Sequence, residues 1–126
     1  MKTTRQVKDL ETIKNYVNKY MKLDITTPIR QRSYVYGRAM YYQLSRSFTT
    51  HSLTDIGAVV NKDHASVLHG LKTFKNFRTW NEDYLLQIYH EIRIALKSEF
   101  LFANPYLTKT DEEKFYFLLH HYITLK

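Results

Sequence analysis

At 126 residues, with no cysteine and a formal net charge of +7, the chain has room for one domain with one modest core. It excludes a disulfide framework, a thiolate zinc site and a cysteine nucleophile. Three glycines and two prolines are too few for many hairpins, so the long periodic segments between them predict an all-α protein. No stretch reaches the roughly 18 apolar residues of a membrane span, and MKTTRQVKDLETI lacks the apolar run of a signal peptide. A cytoplasmic, nucleoid-associated location without membrane contact is the expectation.

The charge is unevenly placed. Residues 1–80 hold 14 Lys/Arg and 5 Asp/Glu, whereas residues 81–126 hold 5 and 7. This asymmetry points the first part at a polyanion, although a solvated basic face would meet the same composition.

Residues 5–22 read as an amphipathic helix, with Val7, Leu10, Ile13, Val17, Tyr20 and Met21 on its stripe and Lys8, Lys14, Lys19 and Lys22 around it. Residues 23–29, LDITTPI, form a connector, because Pro28 pushes Thr27 out of helical geometry. The next helix is expected to start within 29–33 and run to about Phe48, with Val35, Met40, Leu44 and Phe48 as its apolar positions. Arg30, Arg32, Arg38 and Arg46 fall in this stretch, and no acid occurs from 29 to 50. Arg38 and Arg46 share a face to within roughly 40–80°. Arginine can grip phosphate or guanine with two parallel hydrogen bonds.

Residues 51–75 predict two short helices joined by a polar turn. Ser52 and Asp55 make a capping box, and Leu53, Ile56, Val59 and Val60 lie on one face. Asn61 and Lys62 interrupt the apolar run. Asp63 suits the N-terminus of the second helix, whose buried stripe is Val67, Leu71 and Phe74. Ala65, His69, Lys72 and Asn76 lie opposite. A short helix, a tight turn and a second helix with a polar, basic outer face form the helix-turn-helix pattern. Residues 76–99 continue as a further helix, with a break expected at Thr79 to Asn81 and a stripe of Tyr84, Leu85, Ile88, Ile92 and Leu96. Beyond it, Asn104-Pro105 reads as a turn. Thr110 with Glu113 opens a last helix bearing Phe115, Phe117, Leu118, Tyr122 and Ile123. That helix either covers an apolar patch or offers a dimer or partner surface.

The run SLTDIGAVVNKDHASVLHG, with RQRSYVYGRAMYYQLSRSFTTHSL before it, resembles the C-terminal DNA-binding domain of DnaA, the bacterial replication initiator. The resemblance covers roughly residues 10 to 97. It implies an all-α helix-turn-helix bundle of the DnaA domain IV, Trp-repressor-like type, with an extra C-terminal helix. The expected division is a DNA-binding domain over 1–99 and an extension over 100–126. It also implies sequence-specific binding of double-stranded DNA. Arg30 would lie in the minor groove, with Arg32 among the nearby basic contacts. Arg38, Arg46, Lys62, Ser66 and His69 would hold phosphates, and Thr54 would stand at a thymine contact. Asp63, His64 and Ala65 would face base edges, with Asp accepting from a cytosine amino group and His donating.

Three departures from the family bear on the target. The turn is one residue shorter than the family's and reads VVNK, in which Asn61 can tolerate a left-handed conformation, so a turn remains feasible. Ala65 replaces a base-reading threonine. Tyr36 and Gly37 stand where the family often has a basic residue and proline.

The glycines make no phosphate-cradling loop, and GxxxxGK[ST] is missing, so the initiator's ATPase chemistry is not expected. No cofactor or metal is expected: His64 and His69 stand about 140° apart on a helix, and His120 and His121 about 100°. The expectation is a stand-alone binding protein rather than an enzyme, acting in replication initiation or its regulation. Replication proteins or the host initiator are its candidate partners, and it would be a monomer or a weak dimer through the last helix. A phage or mobile-element source would suit such a module. A transcription regulator, an RNA binder and an interaction module that has lost DNA recognition are the alternatives.

Overall fold

A computed structural model of the chain describes residues 4–79 and 83–102, with side chains described for 8–77, 79 and 83–100. Five α-helices follow one another: α1 (Thr4–Met21), α2 (Arg32–Phe48), α3 (Leu53–Ala58), α4 (His64–Thr79) and α5 (Asp83–Phe102). No strand occurs among the described residues, which agrees with the all-α expectation. The expected turn at 104–105 and the expected last helix from Thr110 lie outside the described residues. The chain divides into two compact units, Met1–Ile92 and Arg93–Lys126, with the boundary inside α5.

Helix α1 forms as its periodicity predicts. Leu10, Ile13 and Val17 are fully buried, while Lys8 and Lys19 stay in solvent. Its C-terminus closes without a glycine. Lys22 takes the left-handed region at φ 59°, and the Leu23 amide reaches back to the Asn18 carbonyl at 3.1 Å. That is a Schellman closure with a side chain at the position glycine usually occupies.

Helix α2 is the inner element, packed against α1, α3 and α4. The predicted positions Met40 and Leu44 are buried, and so are Gly37, Arg38, Ala39, Tyr41, Tyr42 and Ser45. Val35 and Phe48 are only half-buried. With three neighbours, this helix has no single solvent face in its second half, so a one-stripe reading undercounts its core. Its crossing with α4 is close: a Cβ on Gly70 would stand 2.3 Å from Cδ2 of Tyr42. Here the glycine is required by contact rather than by backbone conformation.

Tyr41 spans the interior. Its hydroxyl donates to the Ile56 carbonyl at 2.7 Å. That oxygen lies in the last turn of α3, where carbonyls have lost their intrahelical partners. Burial raises the Tyr41 hydroxyl well above its ordinary value of 10.0 and pushes Tyr42 up to about 12.

Helix α4 runs four residues further than the 51–75 segment predicts, to Thr79, and brings Phe77 into the core. The next described helix begins at Asp83, and residues 80 and 81 of the expected break lie outside the described residues. Phe74 meets Tyr89 edge to face at 4.6 Å and Phe77 at 5.5 Å, and Phe77 meets Tyr36 at 4.7 Å. The aromatic residues thus serve the core. On α5 the buried line is Leu85, Tyr89, Ile92 and Leu96. Tyr84, expected on that stripe, is 62% exposed. The line's phase centres on 85 and 89, which turns position 84 outward by about 100°. Among the described residues, no helix is long and apolar enough to cross a membrane.

Replacing Gly70 by alanine should destabilise the protein by about 1–3 kcal/mol through overpacking against Tyr42, read as a lowered urea midpoint. Tyr41→Phe should cost about 1–3 kcal/mol at neutral pH, because it strands the Ile56 carbonyl. Both buried tyrosines keep their protons in the fold after the unfolded chain has lost its own. The tyrosines' contribution to stability should therefore be constant below pH 10 and fall from about pH 10 upward. Melting curves across that range, with tyrosinate absorbance followed in parallel, check the sign.

Candidate nucleic-acid interface

Helices α3 and α4 form the helix-turn-helix, and each joint has an identifiable cause. Ser52 caps α3: its hydroxyl oxygen accepts from the Asp55 amide at 3.2 Å and its proton goes to Asp55 Oδ2 at 2.7 Å. The first bond is the N-cap half of the predicted capping box, and the second joins the two side chains. Ile56 and Val60 are buried on one side of the turn and Val67 on the other, so apolar contact sets the angle between the helices.

The turn between them is a Schellman motif. The Lys62 amide reaches the Gly57 carbonyl at 2.9 Å, the Asn61 amide reaches Ala58 at 3.1 Å, and Asn61 sits in the left-handed region at φ 59°. Asparagine tolerates this conformation better than most side chains, and the structure places it there. Gly57 is needed for a different reason: a Cβ there would lie 2.5 Å from the Lys62 carbonyl oxygen. The glycine of the IG pair therefore lets the chain fold back against the end of α3.

Asp63 caps α4. Its Oδ1 accepts from the Ser66 amide at 2.9 Å. The hydrogen bonds from the Ser66 amide and side chain, in that order, hold its carboxyl below the usual carboxylate range. The carboxyl of Asp63 thus belongs to the fold although the residue is exposed.

Beyond the cap, α4 turns His64, Ala65, Leu68, His69, Lys72 and Lys75 to solvent, while Val67, Gly70, Leu71 and Phe74 face inward. Ala65, His69 and Lys72 repeat at i, i+4 and i+7, so they form one continuous outer face. Two members of this face were not among the predicted site residues. Lys72 adds a cation one turn beyond His69, and its helical spacing from Ala65 was the available signal. Leu68, 45% exposed, adds an apolar side chain between Ala65 and Lys72. Apolar residues of a short motif are read as core, so the pattern hid it.

The remaining predicted residues divide into two groups. Arg30, Arg32 and Arg46 are exposed, as is Thr54 in the first turn of α3, and Lys62 is half-buried in the turn. Arg32 lies over the Tyr36 ring, 5.9 Å from its centroid. Ser66 is half-buried and turned toward Asp63.

Arg38 is the exception, and the expectation that it holds a phosphate is corrected. It is 7% exposed. Its guanidinium points back into the connector, where Nη1 donates to the carbonyls of Ile25 (3.2 Å) and Thr27 (3.1 Å) and Nη2 to that of Ile29 (2.7 Å). A fork with three protein acceptors has little left to offer a ligand. The face it shares with Arg46 on an ideal helix is buried at one end and open at the other.

A family model of the bacterial DnaA protein helix-turn-helix matches residues 10–73. The chromosomal replication initiator protein DnaA of Flavobacterium psychrophilum is 28% identical over 88 residues, 67% of this chain and 18% of that protein. Its counterpart from Bacteroides thetaiotaomicron is 32% identical over 94 residues, 71% of this chain and 20% of that protein. The chain therefore spans about a fifth of the length of these curated relatives. No solved structure matches it.

Substituting Asp63 by alanine should lower the melting temperature through loss of the α4 cap, and Asp63→Asn should largely restore it, since both oxygens can accept from N3. The folded carboxyl titrates below its ordinary 3.8. The cap's contribution is therefore present above about pH 4 and lost as pH falls through the folded value. Melting of both variants between pH 2.5 and 6 tests this.

Proposed function

The chain belongs to the bacterial DnaA helix-turn-helix family, and on that footing we propose that it binds double-stranded DNA sequence-specifically, in replication initiation or its regulation. The observation that carries the reading is the outer face of α4. It is a solvent-facing row of His64, Ala65, Leu68, His69 and Lys72, presented by a helix whose start and preceding turn are both locked by hydrogen bonds.

The mechanism is binding without catalysis. The first turns of α4 enter the major groove. His64 offers ring nitrogens to base edges, and the Asp63 carboxylate accepts from a cytosine amino group. Ala65 and Leu68 bring apolar surface where a thymine methyl would lie. Arg30, carried on the connector, reaches the adjacent minor groove, where arginine gains from the groove's negative potential. Arg46, Lys62 and Lys72 hold phosphates, and these fix register without reading sequence.

Chain-wide charge supports a polyanion on this side of the molecule. No acid occurs between Asp24 and Asp55, the segment that carries Arg30, Arg32 and Arg46. Loss of a threonine hydroxyl at Ala65 and the shortened turn support a target that differs from the relatives' own.

The test is fluorescence anisotropy with two labelled duplexes, one carrying a DnaA box and one of the same composition scrambled. A preference of about tenfold, 1.4 kcal/mol, supports box recognition. Equal, salt-sensitive binding would mean a different target, to be found by selection from random duplexes. No binding to either would move the function to protein interaction. With about four phosphates neutralised, log K against log salt should fall with a slope of roughly −3 to −4. His64→Ala should flatten the preference between duplexes, whereas Arg46→Ala should weaken both alike.

A further inference from the structure

The connector before α2 is short of regular structure and yet fully anchored. Asp24 opens it as an Asx turn: its Oδ1 accepts from the Thr26 amide at 3.0 Å and from the Thr26 hydroxyl at 2.7 Å. The Thr27 amide closes on the Asp24 carbonyl at 3.1 Å, and the Ile29 amide closes on Thr27 at 2.8 Å around Pro28. Two longer-range anchors then tie the segment to the bundle. From α1, Asn18 Oδ1 accepts from the Ile25 amide at 2.9 Å. From α2, the Arg38 fork takes the carbonyls of residues 25, 27 and 29. Ile25 is completely buried and lies so near Gly37 that a Cβ there would come within 2.9 Å of its Cγ2.

The residue after the last clamped carbonyl is Arg30, which is exposed. A long cation that must enter a narrow groove loses affinity when the backbone beneath it is free to move, because binding then has to order that backbone too. Three alternate carbonyls turned toward one guanidinium remove that freedom in advance. Lysine could supply the charge at position 38 but not the planar fork.

We propose that Arg38 is a positioning residue. It clamps the connector through the carbonyls of Ile25, Thr27 and Ile29 so that Arg30 is held ready for DNA, and it makes no phosphate contact of its own. This rests on the duplex-binding reading above, and it reassigns the cation at position 38 from the interface to the scaffold. Asn18 performs the same task from the opposite side, with no charge involved.

The test is a set of double-mutant cycles on the full chain, measuring duplex affinity at several salt concentrations. Arg38→Met, Arg38→Lys and Asn18→Ala are each made with Arg30 intact and with Arg30→Ala. Each is expected to weaken binding by about three- to tenfold, up to 1.4 kcal/mol, when Arg30 is present. Each should change affinity by less than about twofold once Arg30 is gone, since a shared pathway is not additive. Arg38→Lys should fail to rescue Arg38→Met. The proposal is overturned if Arg38→Met still costs affinity in the Arg30→Ala background and reduces the salt slope by about 0.9, the mark of one phosphate contact. Full rescue by lysine would overturn it equally.

Thermal melts identify any variant that does not fold, and Asn18→Ala then carries the cycle. If the unaltered protein binds no duplex, the functional reading fails while the clamp remains testable. Backbone ¹⁵N order parameters for residues 26–31 should then drop in Arg38→Met with the helices unchanged, and unchanged values would refute the clamp.

Discussion

Arg38 and Tyr41 lie one helical turn apart on α2, and between them they tie the two working parts of the molecule to its centre. Helix α2 is covered by α1, α3 and α4, so polar groups on it must find partners inside the protein or forfeit hydration without compensation. Arg38 finds three carbonyls in the segment before the helix. Tyr41 finds one at the end of α3. Each partner is a backbone oxygen that no regular structure would have satisfied. Burial of two polar side chains thereby fixes the connector on one side and the helix-turn-helix on the other.

The same economy governs the turn. Its left-handed residue is Asn61 and its close approach is at Gly57. The two demands fall on different residues, and each residue type suits its own. A turn whose left-handed position holds no glycine can close this way because asparagine tolerates φ > 0. The outcome is an α4 that starts at a defined point, with its cap made by Asp63. The cap also gives Asp63 a structural duty besides any contact it makes to a base, so substitutions there act on the fold as well as on recognition.

Charge is partitioned in a way that composition conceals. Of the four arginines between residues 29 and 50, one is spent inside the protein, one rests over the Tyr36 ring and two extend into solvent. The outer face of α4 gains Lys72 in exchange and carries Leu68 at its middle. An apolar side chain flanked by His69 and Lys72 thus lies in the solvent on this face. The net positive balance is therefore a fact about where particular side chains end, not about how many there are.

Much of this was legible in the chain itself. The five described helices follow from period and punctuation: Leu10, Ile13 and Val17 mark α1, Pro28 marks the connector, Ser52 with Asp55 and then Asp63 start α3 and α4, and Val67, Leu71 and Phe74 mark the inner face of α4. Those signals are local, because capping, turn formation and a single apolar stripe each depend on residues within a few positions of one another. The run SLTDIGAVVNKDHASVLHG likewise carried the family resemblance within one short segment. Only the tertiary structure decided the rest. Arg38 reads as a surface cation until the connector folds over it, Tyr84 reads as core until the phase of α5 is set by Tyr89 against Phe74, and Leu68 goes unassigned until α4 is seated on α2 through Gly70. In each case the side chain's fate depends on a neighbour distant in sequence, and local periodicity holds no information about where that neighbour will pack.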